Sequence, residues 1–348
     1  MYSDQDLESA IAAGALSPDA ATALRNHVDG LRANPIVDEE QFRLVTGFND
    51  IFVSIAGVLM LVGGGWLGGT LMPALGGLAV AGIAWGMAEY FTRVRRMALP
   101  SIIFMIAFAG GVFGFITALL SANGTAELNE TTGALVAAGA AAVTFGATWL
   151  HWRRFKVPVT IAVVTAAAVG TVVALVASAV PQPEAWLPWL GFVAGLAVFG
   201  FAMWWDASDT KRETRRSDVA FWLHLLAAPL IVHPLFVELG IWQNAPSGLA
   251  IAAVLAIYVL LALVALLIDR RALMVSGLAY VLTALIQMFE QFGAVSLNVA
   301  LAAFVIGSAL LLLSAFWHNV RAVLVGVAPQ KLLTWVPAAS GVKTQPAS

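Results

Sequence analysis

The stretch "GLAIAAVLAIYVLLALVALLIDRR", residues 248–271, decides the fold class of this chain. Its residues 249–268 form an uninterrupted apolar run without a charge, and an aspartate and two arginines follow directly. A helix needs about 20 apolar residues to cross the hydrocarbon core of a bilayer. Because arginine is retained on the cytoplasmic side, the stretch predicts a transmembrane helix that ends at the cytoplasmic surface.

Apolar runs of this kind recur along the chain and account for its composition. Of the 348 residues, 60% are hydrophobic and 11% are charged, whereas a soluble domain carries about 25% charged residues. We therefore predict an all-α fold, a polytopic membrane helix bundle of about ten transmembrane helices. The predicted spans are residues 51–69, 71–91, 99–121, 132–150, 157–179, 186–205, 219–239, 249–268, 272–289 and 296–316.

The basic residues determine the direction of these spans. All 18 lysines and arginines fall in the two terminal segments or in every second connection. The other connections, near residues 122–131, 180–188, 240–248 and 290–295, contain none. The positive-inside rule then predicts an even number of spans, with the N- and C-termini both cytoplasmic.

An acidic segment precedes the first span. Residues 1–50 contain nine acidic and three basic groups. The Ser-Pro pair at 17–18 is typical of a helix start, so we predict two short helices in this segment. The chain does not open with a basic region followed by an apolar run, so we expect no cleavable signal peptide.

These patterns divide the chain into a small cytoplasmic helical head (1–46), a transmembrane bundle (47–320) and a disordered cytoplasmic tail (321–348). The bundle is expected to contact the lipid bilayer. Because so small a head buries little surface, we expect it to lean on a protein partner, on a second copy of itself or on the membrane body. Its acidic charge would repel phosphates, so no nucleic acid partner is expected.

The seventh predicted span carries ionisable groups in the segment "HLLAAPLIVHPLFVEL", residues 224–239. His224 and His233 are nine positions apart, so an ideal helix places them on opposite faces. Pro229 and Pro234 each remove a backbone hydrogen bond and predict a kinked helix. His224 lies near the cytoplasmic surface and is expected to reach headgroups or water.

Three interpretations of the deeper His233 are open. It is a structural side chain bonded to a neighbouring helix or to a carbonyl freed by Pro234, a proton relay or substrate contact in a cavity, or a metal or haem ligand. Glu238 lies near the outer end of the same span, five positions away. On an unbroken helix it is poorly placed to pair with His233, and only the kink would realign the two.

Other polar groups complete a candidate intramembrane polar site. Glu89 precedes Arg93 by one helical turn, which favours a local ion pair near the cytoplasmic interface. Gln287 opens the motif "QMFEQF" at the outer end of the ninth span. The loop "DASDTKRETRRSD", residues 206–218, mixes acidic and basic groups and is predicted to be solvated.

Several classes of site are not indicated by the sequence. Cysteine is absent, which excludes disulfides and thiolate metal sites. No HExxH motif, no metalloenzyme spacing of carboxylates and histidines, and no nucleotide-binding loop is present. We therefore expect no catalytic residue, no metal and no cofactor.

The acidic head of two helices is followed by Phe48-Asn49-Asp50 and a Gly- and Ala-rich body with many spans. In this it resembles uncharacterised bacterial multi-spanning membrane proteins that are classed as a domain of unknown function. The resemblance covers the head and the first two spans best, and it implies a bacterial inner (cytoplasmic) membrane. In span count alone, the chain is also similar to the drug/metabolite transporter group.

Three functions are compatible with these patterns. We expect an integral inner-membrane protein, most simply a structural or signalling component with a partner-contacting head rather than an enzyme. The alternative is a transporter-like protein that moves a small solute with the help of the kinked seventh helix. An intramembrane enzyme or haem protein has the least support.

The predicted topology can be checked with single cysteines, because the natural chain has none. We expect a thiol reagent that does not cross the bilayer to label Thr125→Cys in intact cells, since its connection is predicted to be external. Thr214→Cys, next to Arg215, should react only after the membrane is permeabilised. The reverse labelling pattern would show that the topology is inverted.

Overall fold

The computed structural model describes residues 4–24, 47–122, 128–210, 212, 214–240, 247–291, 297–329 and 333–337. Within these residues the chain is helical, and no strand occurs. The all-α prediction is therefore confirmed.

The head forms a compact unit of its own, residues 1–41, separate from residues 42–348. Helix α1 spans Asp4–Ala12, and Gly14 follows it in the left-handed conformation with φ +69°. A second helical stretch covers 18–24, and the Oγ of Ser17 caps it by accepting from the amide of Ala20 at 3.1 Å. The predicted start of a second helix is present, and the rest of the predicted head, 25–46, lies outside the described residues.

Helices occupy all ten predicted spans. Nine of the helices in the described part of the chain are long and apolar enough to cross a membrane. In the helix of the ninth predicted span, Ala272–Gln291, the apolar part is shorter and covers Gly277–Glu290. The helices of the body are α2 (Phe48–Leu71), α3 (Pro73–Met87), α4 (Ala98–Ala122), α5 (Glu130–Phe155), α6 (Val159–Ala179), α7 (Leu187–Ala207), α8 (Arg215–Glu238), α9 (Gly248–Ile268), α10 (Ala272–Gln291), α11 (Asn298–Ala315) and α12 (Trp317–Val327).

The surface of the body is apolar where a soluble protein would be polar. Large hydrophobic side chains such as Trp66, Phe304 and Leu249 are about three-quarters exposed or more. Exposed apolar patches of this extent mark contact with another apolar phase. Together with the apolar helices, they show a multi-pass membrane protein.

Close helix packing in the first half depends on small residues. Helices α2 and α3 join through the single extended residue Met72, whose amide bonds to the carbonyl of Gly68. A Cβ on Gly68 would lie 2.6 Å from the carbonyl oxygen of Leu75. Because lipid is as apolar as the helix surfaces, such close backbone contact replaces the hydrophobic effect as the source of association.

Helix α8, the seventh predicted span, is the central helix of the second half. It packs against α6, α7 and α10. Half of the residues in its most apolar stretch are buried, the largest share among the nine helices that could cross a membrane. Its first half packs against α6 and α7 through Val219 and Leu223. In its second half, Val232 and Phe236 belong to a buried cluster that also includes residues of α9, α10 and α11.

The chain remains helical beyond the last span. Helix α12 begins at Trp317 and ends at Val327, which differs from the disordered tail predicted from residue 321. Trp317 and Val336 are buried in one cluster with α9 residues. The first part of the tail is therefore ordered by contacts with the bundle, which its short apolar pattern did not indicate.

The contact between α7 and α8 generates a prediction. A Cβ at Gly195 would lie 2.8 Å from the amide nitrogen of Ile231 and from the carbonyl carbon of Leu230. We expect Gly195→Ala to force the helices apart and to lower the free energy of unfolding by about 1–3 kcal/mol. Denaturation of the purified protein in mixed micelles measures this change.

Gly200 in the same helix provides the matched control, since a Cβ added there would meet nothing within 4 Å. Gly200→Ala should leave stability unchanged or raise it slightly, because alanine favours a helix over glycine. Equal stability of the two variants would contradict the proposed role of Gly195.

Candidate functional site

The main candidate site lies where the end of α7, the start of α8 and the end of α9 meet. Asp206 in α7 lies 2.8 Å through Oδ2 from Nε2 of His224 in α8. Arg270, just beyond α9, donates to both oxygens of Asp206, with Nε at 3.2 Å from Oδ2. Arg270 also donates to the hydroxyl of Ser217 at 3.0 Å. These four residues are the Asp206 cluster.

A second carboxylate, Asp269, organises the adjacent cluster. Arg212 donates through Nη1 to its Oδ2 at 3.2 Å, and Trp317 donates through Nε1 to its Oδ1 at 2.7 Å. Arg321 of α12 lies 3.7 Å from the same Oδ1 and donates to the carbonyl of Pro337 at 2.6 Å. Arg212, Asp269, Trp317 and Arg321 are the Asp269 cluster.

The backbone at the end of α9 links the two clusters. Asp269 adopts the left-handed conformation, with φ +58° and ψ +49°, and its amide bonds to the carbonyl of Ala265. This turn directs the consecutive side chains of Asp269 and Arg270 to different partners. Since a non-glycine residue rarely takes this conformation, the strain indicates that the surrounding contacts hold it.

Both clusters are removed from solvent. His224 is fully buried, Arg321 and Arg270 are 1% and 2% exposed, and Asp206 and Asp269 are 3% and 4% exposed. Buried charges require partners, because an isolated charge in a medium of low dielectric constant costs several kcal/mol. Each carboxylate here has at least one guanidinium partner from another part of the chain.

His224 has one unusual feature within this arrangement. A carboxylate accepts hydrogen bonds, so Nε2 carries the hydrogen that is shared with Asp206. Nδ1 has no hydrogen-bond partner among the described residues, and the ring stands edge-on to Phe199 at 5.3 Å. The sequence predicts that His224 reaches headgroups or water; the structure instead buries it, because α7 covers that face of α8.

Sequence reasoning missed most of the residues in the two clusters. The loop 206–218 is predicted to be solvated, yet Asp206 and Ser217 are buried and the side chain of Arg212 is 7% exposed. The pair Asp269-Arg270 at the end of an apolar span was the available signal, because opposite charges at a helix end are able to pair with neighbouring helices.

The other predicted histidine lies in a different environment. His233 is exposed, and its Nδ1 shares a hydrogen bond with the hydroxyl of Tyr280 in α10. It lines a groove of about 370 Å³ next to Pro229 and Pro234. As expected from their spacing, His224 and His233 contact different helices. The structure does not bring Glu238, which is exposed, into a pair with His233 among the described contacts.

The two remaining predicted residues, Glu89 and Gln287, lie on other helices than His224 and His233. Glu89 lies in a π-helical segment, Ala88–Val94, that continues α3. Its expected partner Arg93 is present at 3.4 Å, but Arg154 of α5 binds both carboxylate oxygens at 2.9 and 3.0 Å. Gln287 is half-buried on α10. The structure therefore does not unite the five predicted residues in one site.

A further buried histidine was not considered from the sequence. His151 at the end of α5 is 1% exposed, and neither ring nitrogen has a hydrogen-bond partner in the described residues. Its ring packs against Phe155, Phe108 and Trp85 with centroids 4.5–5.7 Å apart. This histidine acts as an aromatic packing element.

The described side chains offer no arrangement for a metal ion. In the part of the chain that the structure describes, no three histidine, aspartate or glutamate residues come together in a way that could bind a metal ion. The two clusters are instead built from carboxylate, guanidinium, imidazole, indole and hydroxyl groups that bond to one another. Together they form a buried electrostatic joint, that is, a network of ion pairs and hydrogen bonds that connects helix ends.

Comparisons with known proteins add no family or fold relative. No protein-family model matches this chain, and no curated protein or solved structure matches it.

The clusters lead to a stability prediction. Asp269→Asn removes the charge that compensates Arg212 and Arg321 while keeping the size of the side chain. We expect a loss of about 3–5 kcal/mol in the free energy of unfolding, because buried guanidinium groups lose their counter-charge. Thermal unfolding of the purified protein in detergent, followed by circular dichroism, measures the effect.

Glu89→Gln is the control for removing a carboxylate from an ion pair at a partly exposed position. The side chains of Arg154 and Glu89 are 43% and 33% exposed, and exposed ion pairs contribute little to stability, so a much smaller effect is expected. If Asp269→Asn and Glu89→Gln unfold at the same temperature, the Asp269 cluster does not have the stabilising role assigned to it.

Proposed function

We propose that this chain is a structural or signalling component of a bacterial inner membrane, whose head (residues 1–46) contacts a protein partner or a second copy of the chain. The transmembrane body serves as a stable platform in this proposal. The head precedes the first span and α12 follows the last, and both termini are predicted to be cytoplasmic.

The observation that carries the proposal is the pair of buried clusters. Asp206, Arg270 and Asp269 connect the ends of α7, α8 and α9, and Arg321 adds α12 to the same joint. A transporter that opens at this face would have to separate these groups. Leaving one of these charges buried without its partner costs about 3–5 kcal/mol, which is comparable to the few kcal/mol that separate two conformations of a protein.

The head supports the proposal independently. Residues 1–41 form a compact unit that is distinct from the body. Within its described part, Leu7 and Ala21 are buried, so its two helical stretches have a small core. A unit of this size is stabilised readily by a partner, as its burial is limited.

A transporter-like function for a small solute remains the second candidate, and one observation favours it. The groove at His233 opens beside the two prolines inside the continuous helix α8, and a proline within an apolar segment is a sequence signal for transporter binding sites. This function requires the joint at the other end of α8 to open, which the buried ion pairs oppose.

Complementation distinguishes the two functions. In a strain that lacks the gene, we expect the chain without residues 1–46 to fail to restore the wild-type phenotype, because the partner contact is lost. His233→Leu should restore it. Membrane fractions must contain equal amounts of each variant, which immunoblotting with a C-terminal tag verifies.

The opposite pattern, in which the truncated chain restores the phenotype and His233→Leu does not, would overturn the proposal and support transport. Full restoration by both variants would also contradict a role for the head.

A further inference from the structure

A groove opens on the side of the body where α7 begins and α8 ends. Its volume is about 370 Å³. Leu187 and Gly191 of α7 form one wall, and Leu230, His233 and Pro234 of α8 form the other. Apart from His233, every lining side chain is apolar or a glycine, so the groove suits a lipophilic molecule.

One polar side chain, that of His233, lines this apolar groove. The hydroxyl of Tyr280 forms a hydrogen bond with Nδ1 of His233 and orients the ring, and this is the hydrogen bond of His233 among the described contacts. Pro234 lacks the N–H that would otherwise bond to the carbonyl of Leu230. In a membrane, polar groups without water need a partner from protein or ligand.

The charges around the groove exclude one class of ligand. None of its lining residues is a lysine or arginine, and Glu238 is exposed at the neighbouring end of α8. The predicted outer connections contain Glu184 and Glu290 and no basic residue. An anionic headgroup, such as that of an acidic phospholipid, would therefore find no cationic partner in the groove.

The depth of the groove agrees with a membrane-dissolved ligand. His233 lies five residues before the end of α8, which corresponds to about 7.5 Å along the helix axis. Trp186 and Trp189, at the start of α7, are exposed, and exposed indoles favour the membrane interface. The polar head of a ligand at His233 would lie just below that interface, with its apolar body in the bilayer.

We infer that this groove binds a neutral lipophilic molecule whose head carries a carbonyl or hydroxyl group, the chemistry shared by isoprenoid quinones and diacylglycerols. The head bonds to Nε2 of His233, and the apolar body packs against Leu187 and Leu230. A hydroxyl on the ligand can donate to Nε2 or accept from it, so it can bind either tautomer of the histidine. A carbonyl can only accept, so it requires the tautomer with hydrogen on Nε2. The inference is independent of the function proposed for the head.

Binding is tested on the full chain in nanodiscs with three probes, a short-chain isoprenoid quinone, a diacylglycerol and phosphatidylglycerol. Native mass spectrometry titrations measure saturable binding of each probe. We expect one site for at least one neutral probe, and roughly three- to tenfold weaker binding of that probe to His233→Leu, the loss expected for one hydrogen bond. Phosphatidylglycerol should show no site that depends on His233.

A groove-filling variant tests the location. A Cβ at Gly191 would lie 3.6 Å from Pro234, an ordinary contact, so Gly191→Leu places a larger side chain into the groove without a backbone clash. We expect it to reduce binding of the neutral probe at least tenfold, while Gly200→Leu on the lipid-exposed part of α7 leaves binding unchanged. Thermal unfolding shows whether each variant is folded. If Gly191→Leu is misfolded, the test rests on the binding measured for His233→Leu.

Three results would overturn the inference. They are the absence of saturable binding for both neutral probes, binding that is unchanged in the folded His233→Leu variant, and tighter His233-dependent binding of phosphatidylglycerol than of either neutral probe. If the quinone binds and diacylglycerol does not, or the reverse, the inference holds and the source of the ligand is identified.

Discussion

The carboxylate of Asp206 is buried where three helices meet. A buried negative charge requires a partner that is positively charged or donates a hydrogen bond. Its partners, His224 and Arg270, come from α8 and from the turn after α9. Asp269 repeats the arrangement with Arg212, Trp317 and Arg321. Because a buried charge pairs in few geometries, these contacts determine which helix ends meet. Removing one partner would leave the other charge buried and uncompensated, which is strongly unfavourable.

The two ends of α8 consequently have different physical properties. At one end, His224 is fully buried beside the ion pair of Asp206 and Arg270. Towards the other end, His233 borders a groove that opens to the lipid, beside the peptide groups released by Pro229 and Pro234. Since the histidines lie on opposite faces of α8, one contacts α7 and the other contacts α10. The central helix α8 is therefore buried and ion-paired near His224 and exposed near His233.

The first half of the body is held together by other means. Gly77 and Gly111 bring α3 and α4 so close that a Cβ on either would lie within 2.8 Å of the partner's backbone. Phe104 and Phe108 fill the space that remains between α2, α3 and α4. In lipid, where apolar burial provides little driving force between helices, this contact of backbones supplies the packing energy.

The sequence by itself determined the fold class, the position of ten helices and the proline-containing helix α8. These features depend on local chemistry: the length of an apolar run, the missing N–H of proline and the cap at Ser17 are properties of neighbouring residues. Only the tertiary structure decided which polar groups meet. Asp206 pairs with Arg270 across 64 positions of the chain and Arg154 with Glu89 across 65. No local pattern encodes such distant pairings, because they arise from the way the helices pack.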